Sequence, residues 1–274
     1  MTYNKYLVVA SKKDRAGINI TTQLSQFREN PVASAIKQAP GFDFYLVDGD
    51  ITDTKSLDID RINSYDFIIF ASKHQSEKPE KTLSVHSPGN FRDALYGGEK
   101  GFACRSSAVF YKQMFERLIS NAEKHFLKEY NVTMEATHHG PAIDKPCIFI
   151  EIGSTETEWK DPRAGFAVAI TIFEMIKEFK PNPYNEVAFA IGGPHYCPSF
   201  IKIQKASNVA ISHVLSKYVF PITEEMIKEA IEKTEEEIDF VLLDWKGLGP
   251  AEHRDKILSI LNKLYLSFKK TSDI

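Results

Sequence analysis

Two histidines stand side by side in Ala136-Thr137-His138-His139-Gly140-Pro141-Ala142, in a chain that has only eight. Imidazole titrates near neutral pH, so it serves as a general base or as a ligand for Zn²⁺. Successive side chains of a strand point to opposite faces. Adjacent imidazoles therefore reach one cleft together only if the backbone turns irregular, and Gly140-Pro141 follows at once. Four more histidines sit near the ends of apolar runs: His74 in SKHQSEK, His86 in LSVHSPGNF, His195 in GGPHYCPSF and His213 in ISHVLSKY. His86 and His213 fit equally well as core imidazoles bonded to backbone. His125, within a helical pattern, and His253, at the start of another, are assigned to structure. No HxxxH or HxH spacing occurs, so a metal site would have to be assembled from distant loops. GSTETEW (153–159) offers N–H groups and hydroxyls to an anion or developing oxyanion, or is simply a capped turn. Gly192-Gly193 ahead of His195 permits close backbone approach to a ligand.

These residues hang on a regular alternation of elements. Strands are expected at 6–11, 42–48, 66–72, 133–139, 146–154, 186–193 and 208–215, each a short apolar run bounded by turn residues. Runs this apolar suit strands covered on both faces. Helices are expected at 108–130 and 161–179, the second opened by Asp161-Pro162 as N-cap and N1, and at 223–238 behind the capping Thr223. Ile257, Leu258, Leu261 and Leu264 mark a last amphipathic helix. The Glu-rich run 224–237 is expected to be a solvated helix face. With no repeat or linker in view, residues 1–274 read as one α/β domain, a mixed, largely parallel sheet flanked by helices. In such sheets ligands bind beyond the carboxyl ends of the strands. Five of the expected strands end in Ser, Thr, His, Lys or Gly: SKKDRAGINI, SKHQSEK, HHGP, GSTETEW and GGPHYCPSF.

Composition narrows the partners. A net charge of −3 excludes an argument for nucleic-acid binding from bulk charge, although a local basic patch remains open. No run approaches the roughly 18 apolar residues that span a bilayer. The N-terminal apolar stretch is too short for a signal peptide, so a cytoplasmic protein is expected. The three cysteines, Cys104, Cys147 and Cys197, match neither a disulfide framework nor a CxxC zinc pattern.

Taken in order, SKKDRAGINI, SKHQS, LSVHSPGN, ATHHGPA, EIGSTETEW, GGPHYCPSF, SHVLSKY and WKGL resemble the archaeal and plant type of D-aminoacyl-tRNA deacylase, from residue 9 to about 250. Ser212 and Cys197 depart from the expected pattern. The resemblance implies hydrolysis of the ester joining a D-amino acid to the 3′-terminal ribose of tRNA, a fold like that of peptidyl-tRNA hydrolase and the nucleoside phosphorylases, Zn²⁺ dependence and a monomer. No membrane or DNA partner is expected.

Under that reading His138 or His139 is the general base for water, or a Zn²⁺ ligand that lowers the water's pKa. Glu151 orients that imidazole or binds the substrate's α-ammonium. Ser154 and Thr155 are the oxyanion candidates, and His74, His86 and His195 the remaining metal-ligand candidates. Lys12, Lys13, Lys73 and Lys78 are candidates for tRNA phosphates. Two competing readings are a metal-dependent amidase or nucleoside-processing hydrolase on the same sheet, which would turn over substrates without tRNA, and a non-catalytic tRNA-end binding protein, which would hold the ester without shortening its life.

Overall fold

A computed structural model describes residues 2–28, 41–181 and 183–274. The strands among them are β1 (Lys5–Ser11), β2 (Gly41–Val47), β3 (Phe67–Gln75), β4 (Thr82–His86), β5 (Gly89–Asn90), β6 (Phe102–Ala103), β7 (Asn131–Met134), β8 (Cys147–Ser154), β9 (Glu186–Ile191), β10 (Val209–Leu215), β11 (Phe240–Leu243) and β12 (Phe268–Lys270). They do not form one sheet. A six-stranded sheet runs β2-β1-β3-β8-β4-β7, and a four-stranded sheet runs β10-β9-β11-β12. Every pairing in both is parallel except β4 against β8. The α/β class and the largely parallel, helix-flanked arrangement hold; the expected single sheet is split in two, with the β5–β6 hairpin beside them.

Strand periodicity explains why so many runs look wholly apolar. Tyr6, Val8 and Ala10 of β1 face a core filled by helices Arg15–Arg28, Ala108–Lys124 and Pro162–Glu178, whereas Leu7 and Val9 face a second core with Val47, Ile68, Phe70 and Phe149. Both faces are buried, so no polar face remains to alternate. The first core continues into the other sheet through Ala188, Ala190, Ile211 and Leu242. Helix Ala108–Lys124 carries this continuity, packing on β4 and β7 of one sheet and on β9 and β10 of the other.

Several expected boundaries move for identifiable reasons. The run 133–139 leaves the strand after Met134 because its backbone changes partners residue by residue. Glu135 N–H donates to the Val85 carbonyl, Ala136 N–H to that of His195 and Thr137 N–H to that of Val214. This segment crosses the seam between the sheets. The helix expected to reach 130 stops at Lys124; Phe126 takes a positive φ of 58° and Leu127 turns back into the core. The helix expected to reach 238 stops at Glu232; beyond it Glu237 is exposed, but Glu235 and Glu236 are half-buried. Glu236 instead accepts hydrogen bonds from the Ser107 hydroxyl and the Ala108 and Val109 N–H groups, closing the N-terminus of helix Ala108–Lys124. No helix among the described residues is long and apolar enough to cross a membrane.

Candidate active site

The seam-crossing segment delivers both adjacent imidazoles to one cleft. His139 has a φ of 46°, outside the strand region, so its side chain does not alternate away from that of His138. Nδ1 of His138 lies 2.8 Å from the Ala136 carbonyl, and Nδ1 of His139 lies 2.7 Å from the Gly140 carbonyl. A carbonyl only accepts, so each Nδ1 carries the proton and each neutral ring presents the Nε2 lone pair. Burial, followed by the nearby His86 and each other's charge, pushes His138 well below the ordinary imidazole range. Burial and His86 bring His139 down to about 4. Both are neutral near pH 7, the form that accepts a proton or binds a metal.

Two buried carboxylates lie against these rings. Glu135 is fully buried; Oε2 accepts from His195 Nε2 at 2.8 Å and stands 3.7 Å from His138 Nε2, and Oε1 stands 3.2 Å from His74 Nδ1. Glu151 accepts from the Ser72 hydroxyl at 2.6 Å and lies 3.6 Å from His74 Nδ1 and 3.7 Å from His86 Nε2. Burial opposes ionisation of both acids. The His195 hydrogen bond and the His74 charge outweigh it for Glu135, as His74 and His86 do for Glu151, and both carboxyls stay well below the usual carboxylate range. Reciprocally, burial depresses His74 and His86, but Glu151 and Glu135 more than offset it and leave both raised. The two negative charges thus favour protonation of His74 and His86, or the binding of a cation.

Strand register explains this convergence. Ser72 pairs with Glu151 between β3 and β8, and Ser84 pairs with Glu151 between β4 and β8. The carboxylate therefore sits centrally at the strand ends, with His74 two residues along β3 and His86 two residues along β4. Above them opens a cleft of about 810 Å³, lined among others by Lys13, Asp14, Lys73, Tyr96, His138 and His139. His86 lies below its floor, fully buried, its ring 4.3 Å from His138 and 4.7 Å from His139.

Among the described residues, three overlapping groups have ligand atoms within 4.8 Å of one another: His86 with His138 and His139; Glu135 with His138 and His195; His74 with Glu135 and Glu151. The three histidines first taken as metal ligands, His74, His86 and His195, are thereby distributed one to each group. The donor chemistry fits Zn²⁺, which takes imidazole nitrogen and carboxylate oxygen. Two buried atoms, His86 Nε2 and Glu135 Oε1, have no hydrogen-bond partner of good geometry, which suits groups held ready for a cation.

Other residues of the sequence reading lie elsewhere. The Ser154 hydroxyl donates to the Glu80 carbonyl at 2.6 Å. Thr155 and Glu158 form a capping box on helix Glu156–Trp159, the capped-turn alternative for GSTETEW. Neither Ser154 nor Thr155 lines the cleft. Lys13 and Lys73 do line it; Lys12 pairs with Asp48 at 2.9 Å and Lys78 is exposed on the following loop. His213 is a core imidazole held between Thr137 Oγ1 and the Lys233 carbonyl. Three participants escaped the sequence reading: Glu135, Asp14 and Tyr96. Glu135 carried a usable signal, since a carboxylate in the otherwise buried run TMEATHH needs a partner. Asp14 caps helix Arg15–Arg28, accepting from Ala16 and Gly17 N–H with one oxygen and from Lys73 N–H with the other.

Comparison with known proteins is consistent with this geometry. The sequence profile of the D-aminoacyl-tRNA deacylase family matches residues 61–269. A D-aminoacyl-tRNA deacylase of Pyrococcus furiosus is 39% identical over 205 residues, covering 74% of this chain and 73% of its own. One from Methanocaldococcus jannaschii is 31% identical over 258 residues, covering 91% and 93%. A crystal structure described as a conserved protein of unknown function superposes with a TM-score of 0.83 at 27% identity, covering 98% of this chain and 96% of that one.

Proposed function

This chain belongs to the D-aminoacyl-tRNA deacylase family, and on that premise we propose how its cleft hydrolyses the ester of D-aminoacyl-tRNA to a free D-amino acid and tRNA. The observation that carries the reading is the pair of neutral imidazoles that line the cleft, each with Nδ1 held by a carbonyl so that Nε2 keeps the lone pair. Nε2 of His139 takes a proton from water as the water oxygen bonds to the ester carbonyl carbon. The resulting tetrahedral oxyanion collapses by breaking the bond to the ribose oxygen, and that oxygen recovers the proton from the imidazolium. Because aminoacyl esters are already activated, orientation of water and charge stabilisation suffice.

Glu135, His138 and His195 are the set we assign to Zn²⁺, two imidazoles and a carboxylate. When bound there, the ion supplies Lewis-acid stabilisation of developing negative charge. Glu151 holds His74 and His86 in place beneath it. Lys13 and Lys73 supply the local positive charge for tRNA phosphates that the net charge of −3 does not. We assign the chain to the cytoplasm as a monomer.

The test measures release of labelled D-tyrosine and L-tyrosine from matched charged tRNAs, with native, chelator-stripped and zinc-restored enzyme. Rapid release from the D-ester alone, lost on stripping and regained with zinc, is expected. D-selective release indifferent to the chelator would remove zinc and keep the reaction; release from neither ester would end the deacylase mechanism. His139→Asn is expected to lower kcat by about 10²- to 10⁴-fold.

A further inference from the structure

One conspicuous feature at the cleft has no part in the chemistry above: an exposed aromatic ring on a rigid loop. Tyr96 is 73% exposed and its neighbour Leu95 79%, yet Tyr96 lines the same cleft as His138 and His139. Scattered exposed apolar residues need no explanation, but this one stands at the rim of the site. Its loop is held in place by close packing. Gly97 and Gly98 have φ of +77° and +78°; a Cβ on Gly97 would come within 2.1 Å of the Thr52 carbonyl oxygen, and one on Gly98 within 2.8 Å of Gly140 Cα. Asn90 Nδ2 donates to the Gly97 carbonyl at 2.9 Å, and Gly140 N–H donates to the Tyr96 carbonyl at 3.2 Å. The Tyr96 backbone is therefore bonded directly to the residue that follows His139.

We propose that Tyr96 is a stacking platform for the 3′-terminal nucleobase of the tRNA, a positioning residue that sets the ester over His139. The inference rests on the deacylase reading and deepens it. The scissile ester is carried on the ribose of the last nucleotide, so with the ester at His139 the attached base lies one sugar away, in the cleft that Tyr96 also lines. That nucleotide is unpaired, and unpaired bases bind proteins by stacking on aromatic rings. Lys13 and Lys73, lining the same cleft, face the phosphates that the neighbouring nucleotides carry. A loop backbone held in place before the substrate arrives loses little conformational freedom on binding.

The experiment uses tRNA whose terminal adenosine is replaced by 2-aminopurine ribonucleoside, a base whose fluorescence is quenched by stacking. Wild-type protein should quench it on binding. Tyr96→Ala should abolish the quench and raise KM for D-tyrosyl-tRNA roughly tenfold, with kcat changed less than about twofold. Tyr96→Phe and Tyr96→Trp should retain both, which separates stacking from a hydroxyl contact, and all three variants should melt with the wild type. An unaltered quench and KM in Tyr96→Ala would overturn the proposal. Binding is read without turnover, so a wild-type protein that quenches through Tyr96 but releases no D-tyrosine would sink the deacylase reaction while upholding the base contact.

Discussion

Each carboxylate of the site lies against three polar side chains: Glu135 against His74, His138 and His195, and Glu151 against Ser72, His74 and His86. Glu135 is fully buried between His195, His138 and His74, so its replacement by Gln keeps the shape and removes the charge. The uncharged amide leaves a buried cation or proton uncompensated. Glu135→Gln is expected to lose at least about 10²-fold in kcat and to fail to retain zinc after dialysis, checked by turnover and metal analysis of the same sample. Ser154 gives the opposite prediction. Its hydroxyl is already donated to Glu80, away from the cleft. Ser154→Ala should leave kcat within about threefold; a hundredfold fall would return Ser154 to the chemistry.

Two helix starts convert local sequence into site geometry. Asp14 caps helix Arg15–Arg28 and with its second oxygen holds the Lys73 N–H at 2.8 Å, one residue before His74. Asp14→Ala should cost about 1–2 kcal/mol in denaturant unfolding and raise KM for charged tRNA more than it lowers kcat. Asp161 caps helix Pro162–Glu178 and accepts from Arg163 and Tyr130. Burial opposes its ionisation, but those hydrogen bonds prevail and its pKa lies below the usual value. A carboxylate with a lowered folded-state pKa adds stability above the unfolded-state value and loses it as pH falls through the folded one. The difference in urea midpoint between wild type and Asp161→Asn should therefore be open at pH 7 and narrow as pH falls below the ordinary carboxylate range; a difference that does not change with pH would assign it to shape rather than charge.

Over the whole molecule, the candidate site lies where two sheets meet. His74, His86 and Glu151 come from the six-stranded sheet, His195 follows β9 of the four-stranded one, and Glu135–His139 bridges them. An ion bound by Glu135, His138 and His195 would tie the two sheets together as well as serve chemistry. Zinc at a hundredfold excess over its Kd should then raise stability by about 2.7 kcal/mol, read as an upward Tm shift that Glu135→Gln abolishes. A shift that survives in Glu135→Gln would place the ion elsewhere. Charge reversal at Lys13 and Lys73 should raise KM for charged tRNA and flatten its salt dependence, because phosphate contacts release counterions.

How much of this was legible follows from the range of the forces involved. Continuous apolar runs and the turn residues that bound them are local, and they placed strands at 6–11, 42–48, 146–154 and 208–215 within a residue or two of where they form. The ordered words from SKKDRAGINI to WKGL carried the family. Shorter elements such as β4 and β11 had too little periodic sequence to stand out. The short apolar run FVLL became β11 only because neighbouring strands buried it. Local sequence also placed the histidine-rich strand ends at one edge, but it assigned Ser154 and Thr155 to a site whose cleft they do not line, and it passed over Glu135 and Tyr96. Those outcomes depend on where residues 60 or more apart in the chain meet, as His195 meets Glu135, and on a backbone that leaves its strand at Met134 to satisfy hydrogen bonds in a second sheet. The residue types available for the chemistry were set by the sequence alone; the tertiary structure decided which of them share a cleft, because only packing brings distant donors within a few ångströms and turns both His138 and His139 to the same side.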